Sequence, residues 1–302
     1  MAYGRILYGE ELVFLEGSGL RGVQSVDTRF DIPFEPIAFG GNRFESAILK
    51  DSKPTTSFGI DSLIVNSGEL DPIVGMPLWD SPISGVLHAQ ADPLEGDPGP
   101  APINDWSFTS GYILNYSSSC TVAEVATTSC EIRVFGDVHN VRPDNLFPET
   151  GKVDASNQFI NIAKAGDITL INVTGQDSNR VQSYNYNLTI NRLDVDKLGG
   201  NYRNHIHDII YPIEVELSFV IDVDDIEAPL LSGLLCNPDL DDITIQLGDC
   251  SIPDSGPIRS FIVENPILVA MEETVSIGDA LQAQLTYKSY IGDVNNLATL
   301  IT

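Results

Sequence analysis

From Ile213 to Asp224, apolar and polar residues alternate one by one. Ile213, Val215, Leu217, Phe219, Ile221 and Val223 fall on one side; Glu214, Glu216, Ser218, Asp222 and Asp224 fall on the other, with Val220 the exception. A period of two belongs to an extended strand with one packed face and one wet face, and here the wet face is acidic. The same parity governs two other stretches. After Val23-Gln24-Ser25, the residues Val26, Thr28, Phe30 and Ile32 share a face opposite Asp27, Arg29 and Asp31. After Val181-Gln182-Ser183, Tyr184, Tyr186, Leu188 and Ile190 share a face opposite Asn185, Asn187, Thr189 and Asn191. Residues 243–247 and 281–287 alternate as well. Helical periodicity is weak. One short helix in each half is expected near Pro72 and Pro229, because proline is accepted in a helix's first turn. The pattern predicts a mainly β fold of sandwich or barrel type.

The matching strands belong to a longer self-similarity. Val23-Gln24-Ser25 is followed by Gly40-Gly41-Asn42, and Val181-Gln182-Ser183 by Gly199-Gly200-Asn201. Glu69-Leu70-Asp71-Pro72-Ile73-Val74 lines up with Ile226-Glu227-Ala228-Pro229-Leu230-Leu231, and Phe135-Gly136-Asp137-Val138 with Ile291-Gly292-Asp293-Val294. The four anchors keep one order at separations of 156 to 159 residues. This predicts a tandem duplication, copy 1 over residues 1–145 and copy 2 over 146–302, each of ordinary domain size. The proline- and polar-rich residues 141–152 are the expected joint. The copies diverge most over 76–106, where Pro77, Pro82, Pro93, Pro98, Pro100 and Pro102 predict an extended loop, since proline blocks ladder hydrogen bonds.

Charge narrows the function. The 302 residues hold 43 acidic against 16 basic side chains, a formal net charge of −27, and the acids are spread along the chain. Such a surface repels phosphates and anionic membranes, which argues against a protein that grips nucleic acid. The apolar stretches are strand-sized, well short of the ~20 residues of a membrane-spanning helix. The first residues lack the basic-then-apolar plan of a secretory signal, so Cys120, Cys130, Cys236 and Cys250 are expected as thiols of a protein made in a cytoplasm.

Candidate chemistry is sparse. No set of residues supplies acid, base and nucleophile together, and neither a Gly-x-Ser-x-Gly elbow nor a phosphate-cradling Gly-x-x-x-x-Gly-Lys occurs. His205 and His207 have only Asp208 nearby as a third ligand. Asp222, Asp224 and Asp225, and likewise Asp239, Asp241 and Asp242, lack calcium-loop spacing and read as solvated acids. Gly17-Ser18-Gly19-Leu20-Arg21-Gly22 matches a dinucleotide fingerprint in letters but leads into a strand, so it reads as a hairpin turn. No cofactor and no metal are expected. The acceptor motifs at Asn115, Asn172 and Asn187 carry little weight without export. Trp79, Trp106, Tyr112 and Tyr116 offer material for a carbohydrate platform, although core packing is the commoner use of such rings.

Val23-Gln24-Ser25-Val26, the strand that follows and Phe39-Gly40-Gly41 resemble the opening strand pair of phage tail tube proteins, and Val181-Gln182-Ser183 to Leu198-Gly199-Gly200 repeats that likeness. The long strand at 213–224 and a terminal strand ending in Ile291-Gly292 fit the same plan. The resemblance implies two tandem tail-tube-like β-sandwich or barrel domains, in the duplicated form in which three two-domain chains make a pseudo-hexameric ring. It implies a non-enzymatic virion protein that stacks head to tail with itself as a conduit for genomic DNA. A tape measure protein inside and sheath, terminator or baseplate proteins would be its neighbours. An acidic wall lets phosphates pass without sticking, and Glu214, Glu216, Asp222, Asp224, Asp27 and Asp31 are the candidates to line it. The competing expectations are another virion component (neck, baseplate or capsid decoration) and a carbohydrate-binding surface module.

Overall fold

A computed structural model describes residues 8–20, 22–31, 35–37, 47–49, 55–64, 78–79, 81–91, 103–122, 124–134, 138–139, 168–171, 181–195, 206–223, 242–248, 257–274, 281–293 and 297–301. The fold is mainly β and its sheets are antiparallel. In chain order the strands are β1 (Tyr8–Leu15), β2 (Ser18–Gly19), β3 (Val23–Asp31), β4 (Glu35–Ile37), β5 (Ala47–Leu49), β6 (Thr55–Leu63), β7 (Ile83–Ala91), β8 (Ile103–Thr121), β9 (Thr127–Val134) and β10 (Val138–His139). They continue as β11 (Ile168–Ile171), β12 (Val181–Thr189), β13 (Arg192–Val195), β14 (Ile206–Ile209), β15 (Ile213–Val223), β16 (Ile243–Leu247), β17 (Arg259–Val263), β18 (Ile267–Thr274) and β19 (Leu281–Ile291).

Eight of these strands lie side by side in the order β3-β6-β9-β8-β12-β15-β19-β18. Its two ends are open among the described residues: β3 pairs only with β6, and β18 only with β19. Strand β8 also continues the same sheet, twelve strands among the described residues, toward β7, β1 and β2. At 19 residues it bends where Ser110 takes a φ of 60°, and its first part instead pairs with β7, which pairs with β1. The second half of the chain splits the same path in two. Strand β17 pairs with β16, which pairs with β11, and Asn265, with a φ of 47°, leads from β17 into β18. Both halves also place a small hairpin between the first two strands of their four: β4–β5 and β13–β14.

Irregularities recur at matching places. The register of β3 against β6 shifts between Val23 and Ser25, and that of β12 against β15 between Val181 and Ser183. The register of β8 against β9 shifts between Ile113 and Asn115, and that of β18 against β19 between Leu268 and Ala270. A bulge turns the strand locally and fixes which residues oppose each other, so both sets of strands are pinned by the same device.

The core follows the parity of the sequence. Ile213, Val215, Leu217, Phe219 and Ile221 are buried on β15, and Tyr184, Tyr186 and Leu188 on β12, with Ile190 just beyond. The first part of β8 and the β11-β16-β17 sheet cover this face: Phe108 stacks on Phe58 at 4.9 Å, and Phe261 lies 5.1 Å from Tyr186 and 5.8 Å from Tyr184. Each such ring, fully buried, stabilises the fold by about 1.5–3 kcal/mol. Two glycines make room for Phe108. A Cβ on Gly85 would come within 2.3 Å of its ring and one on Gly111 within 2.7 Å.

Segment 76–106, expected from its prolines to be an extended loop, is strand where it is described at 83–91 and 103–106, while Pro77, Pro93, Pro98, Pro100 and Pro102 lie outside the described residues. It carries β7 and the start of β8. Pro82 directly precedes β7, and no proline stands inside either strand, so the ladder hydrogen bonds are intact where they are made. The Gly17–Gly22 string does form a hairpin turn: Glu16 and Gly17 take φ of 49° and 78° and join β1 to β2, the positive-φ pair that a two-residue hairpin needs. The expected helices near Pro72 and Pro229, the joint at 141–152, the two Gly-Gly pairs, His205, Cys236, Cys250 and Asp224 lie outside the described residues. The described helix is the single turn Leu297–Leu300, and no described helix is long and apolar enough to cross a membrane.

Candidate functional site

The eight-strand sheet turns one face to the core and leaves the other polar. Register identifies the polar face row by row. Asp27 stands opposite Gly59, then Glu131, Asn115, Thr189 and Glu214 on successive strands. A second row runs from Ser25 through Asp61, Ser129, Ser117 and Asn187 to Glu216. The face thus spans both halves of the chain without interruption. Of the six candidate residues, Asp27, Asp31, Glu214, Glu216 and Asp222 all lie on it; Asp224 lies outside the described residues. They share a face but form no cluster. Five strand steps separate β3 from β15, about 24 Å at ~4.8 Å per step.

Neutral donors hold two acids of this face in place, Asp222 and Asp61. Asp222 accepts hydrogen bonds from the Gln182 amide at 2.6 Å and the Gln282 amide at 3.0 Å, one from each neighbouring strand. The Ser25 hydroxyl donates to Asp61 at 2.7 Å. Gln284 donates to the Ser218 hydroxyl at 3.0 Å. These contacts fix the carboxylates without cancelling their charge. Glu214 and Glu216 differ: Lys288 of β19 reaches both, at 2.5 and 3.1 Å. Hydrogen bonds to the two carboxylates hold the Lys288 ammonium above the ordinary lysine pKa. Arg29 similarly contacts Asp31 at 2.9 Å, both side chains being largely exposed.

The sequence candidates omitted Asp61, Glu131 and Glu272, which lie on the same face, together with the bases Arg133 and Lys288. The missing signal was parity on β6, β9, β18 and β19. On β9, for instance, Thr127, Ser129, Glu131 and Arg133 alternate with Thr128, Cys130, Ile132 and Val134. Eight described carboxylates on the face meet three bases there, Arg29, Arg133 and Lys288, so it remains acidic after local pairing.

Other candidate chemistry is not assembled. No group of three metal-ligating side chains occurs among the described residues. Trp79 and Tyr116 are buried, Trp106 is half-buried and packs on Phe30 at 5.2 Å, and the Tyr112 ring lies under the Arg192 guanidinium at 4.9 Å. These four rings make no open platform for a sugar. Cys120 and Cys130 are buried free thiols, and burial with nearby Glu124 pushes the Cys120 thiol up to about 11, which makes it a poor nucleophile at neutral pH.

The remaining feature is the junction of the two halves. Strand β8 pairs with β12 over seven residue pairs from Asn115↔Thr189 to Thr121↔Ser183. The Ile190 amide donates to the Leu114 carbonyl at 2.8 Å and the Val122 amide to the Gln182 carbonyl at 2.7 Å. Alternation between these ends makes Tyr116↔Leu188, Ser118↔Tyr186 and Cys120↔Tyr184 the hydrogen-bonded pairs, all core-facing. The polar-face pairs are then the closer, non-hydrogen-bonded kind. Arg192 adds a clasp: it donates to the main-chain carbonyls of Ile113, at 3.2 Å, and Trp79. The last strand of one four-strand set is thereby fused to the first strand of the other. No known protein-family model matches the chain, and no curated protein matches it either.

Proposed function

We propose that the chain is a non-enzymatic, self-assembling subunit of a phage tail tube. It consists of two tandem β-sandwich domains, residues 1–145 and 146–302, and three chains close into a pseudo-hexameric ring that stacks into a conduit for DNA. The single observation that carries this reading is the β8–β12 junction. It joins the end of one four-strand set to the beginning of the next, and among the described residues this leaves one open edge of each kind, β18 and β3. A second copy can repeat at those edges the contact the chain already makes within itself. Such a head-to-tail contact closes into a ring when its rotation allows, and closure removes the open edges at β3 and β18.

The matching strand order, bends and bulges of the two halves support the duplication. The continuous acidic face supports a lumen wall, because phosphates are repelled from carboxylates and a genome can slide past. In a virion tail, tape measure, sheath, terminator or baseplate proteins would be its contacts. Electron microscopy of the purified protein over a range of concentrations tests the reading. Stacked rings of three chains are expected; a monomer at every concentration overturns it. Discrete rings that never stack would favour a neck, baseplate or decoration role. For the wall, replacing Glu214, Glu216 and Asp222 together by lysine is expected to leave ring formation intact and slow DNA ejection from reassembled particles; unchanged ejection removes the lumen assignment.

A further inference from the structure

We propose that Arg29 on the open edge of β3 and Glu272 on the open edge of β18 pair between neighbouring copies of this chain and set the register of the seam. The inference rests on the self-assembly reading above and adds to it the residues that decide how two copies meet.

The internal junction is the template. The bulges give matched reference points: Val23 and Val181 in the first strands, Leu268 and Ile113 in the last. First strands are thus related by 158 residues and last strands by 155. Carried through these offsets, the internal pair Tyr116↔Leu188 becomes Met271 opposite Phe30 of the next copy, and Ser117↔Asn187 becomes Glu272 opposite Arg29. Ser119↔Asn185 becomes Thr274 opposite Asp27, and Asn115↔Thr189 becomes Ala270 opposite Asp31.

The transposed pairs are chemically matched although the template does not require it. A neutral serine–asparagine pair becomes a pair of opposite charges. On the core-facing side, Phe30, 49% exposed in the single chain, meets the half-buried Met271. The flanking residues also act against errors. A slip of one residue turns every side chain to the wrong face. A slip of two residues sets Glu272 opposite Asp31 in one direction and Asp27 in the other, and like charges directly opposite destabilise a strand pair. Arg29 is the only base on β3 and stands between those two acids. In the single chain it rests against Asp31 at 2.9 Å, an exposed contact that is readily exchanged. The seam register is therefore encoded by charge, whereas the internal junction, already tethered by the chain, carries none at the corresponding positions.

Charge exchange tests this in the full chain. R29E and E272R should each raise the concentration needed for assembly by about fivefold, the effect of one cross-strand charge pair, and the double variant R29E/E272R should return it close to wild type. Both positions are exposed, and an unchanged melting curve confirms that each variant folds. Independently, R29C chains mixed with E272C chains should form an interchain disulfide on oxidation, since a non-hydrogen-bonded pair brings the Cα atoms within bridging distance. D27C or D31C mixed with E272C should cross-link far less. Assembly of wild type with no rescue in the double variant, or preferential cross-linking at 27 or 31, overturns the assigned register and leaves the tube reading standing. Failure of the wild-type chain to assemble or cross-link at any concentration overturns both.

Discussion

The internal junction and the two edges left open among the described residues use strands at corresponding places in the two four-strand sets, yet they differ in chemistry. At the junction, β8 and β12 alternate buried and partly exposed residues, with Tyr116, Ser118 and Cys120 facing Leu188, Tyr186 and Tyr184 in the core. At the edges, the same positions carry Thr28, Phe30, Met271 and Glu273, and most of β18 is exposed. The junction is a finished interface that behaves as core. The edges hold the same backbone pattern with side chains that tolerate water. On the self-assembly proposed above, a single chain must stay soluble before it meets another copy, and an exposed flat apolar edge would aggregate. Acids on both edges and a bulge on each limit that hazard while leaving the hydrogen-bonding groups available.

Identical substitutions at the two places should separate them. S118P removes an amide that points from β8 into β12, and it also deletes the hydroxyl that shares a 3.0 Å hydrogen bond with Tyr184. Proline inside a central strand removes a ladder hydrogen bond and is confined in folded sheets to edges and bulges, so the chain is expected to lose cooperative folding, read by chemical denaturation. An S118P protein with near-native stability would show that β8 and β12 are not joined as described.

Alkaline pH attacks the same junction by another route. Burial pushes the Cys120 thiol up to about 11 from 9.0, and burial raises Tyr184 and Tyr186 above the ordinary tyrosine value. Groups whose folded pKa is raised contribute stability that is complete below their unfolded values and lost as pH rises through the folded ones. The melting temperature is therefore expected to hold up to about pH 9 and fall progressively beyond it, through the Cys120 value of about 11. Replacing Cys120 by alanine should flatten the first part of that fall. A melting temperature unchanged to pH 11 would contradict the burial of these groups.

T28P is the counterpart of S118P at the open edge. By equivalence with Tyr186, the Thr28 amide points away from β6, so the proline removes no bond within the chain. The monomer should keep its melting temperature to within a few degrees, while assembly measured by sedimentation should disappear. Loss of folding instead would mean that the β3 edge is already paired.

Much of this arrangement was legible in the residues. The alternation at 213–224 and after each Val-Gln-Ser is strong because a central strand in a two-layer structure must obey parity at every position. The β3 edge obeys it less well, and Phe30 is exposed on what the pattern assigns as a packed face. Within 76–106 the strand Ile83–Ala91 was not legible from composition, because the prolines of the segment lie on either side of it and none within it. The acidic face was found on β3 and β15 but missed on β6 and β9, whose single acids among serines and threonines do not stand out in composition. The pairing of Lys288 with two acids 72 and 74 residues before it belongs to register, which no local pattern contains.

That pairing gives the smallest expected effect. K288M keeps the chain length of the side chain and leaves Glu214 and Glu216, on the same face of one strand, without their shared cation. Solvent screens such exposed ion pairs strongly, so the melting temperature should drop only slightly, and less at high salt as screening weakens the repulsion between the two carboxylates. The open edges lie on other strands, so the assembly threshold should not move. A shift in that threshold as large as the one expected for R29E would show that the charge of the whole face, rather than the matched pair at the seam, governs association.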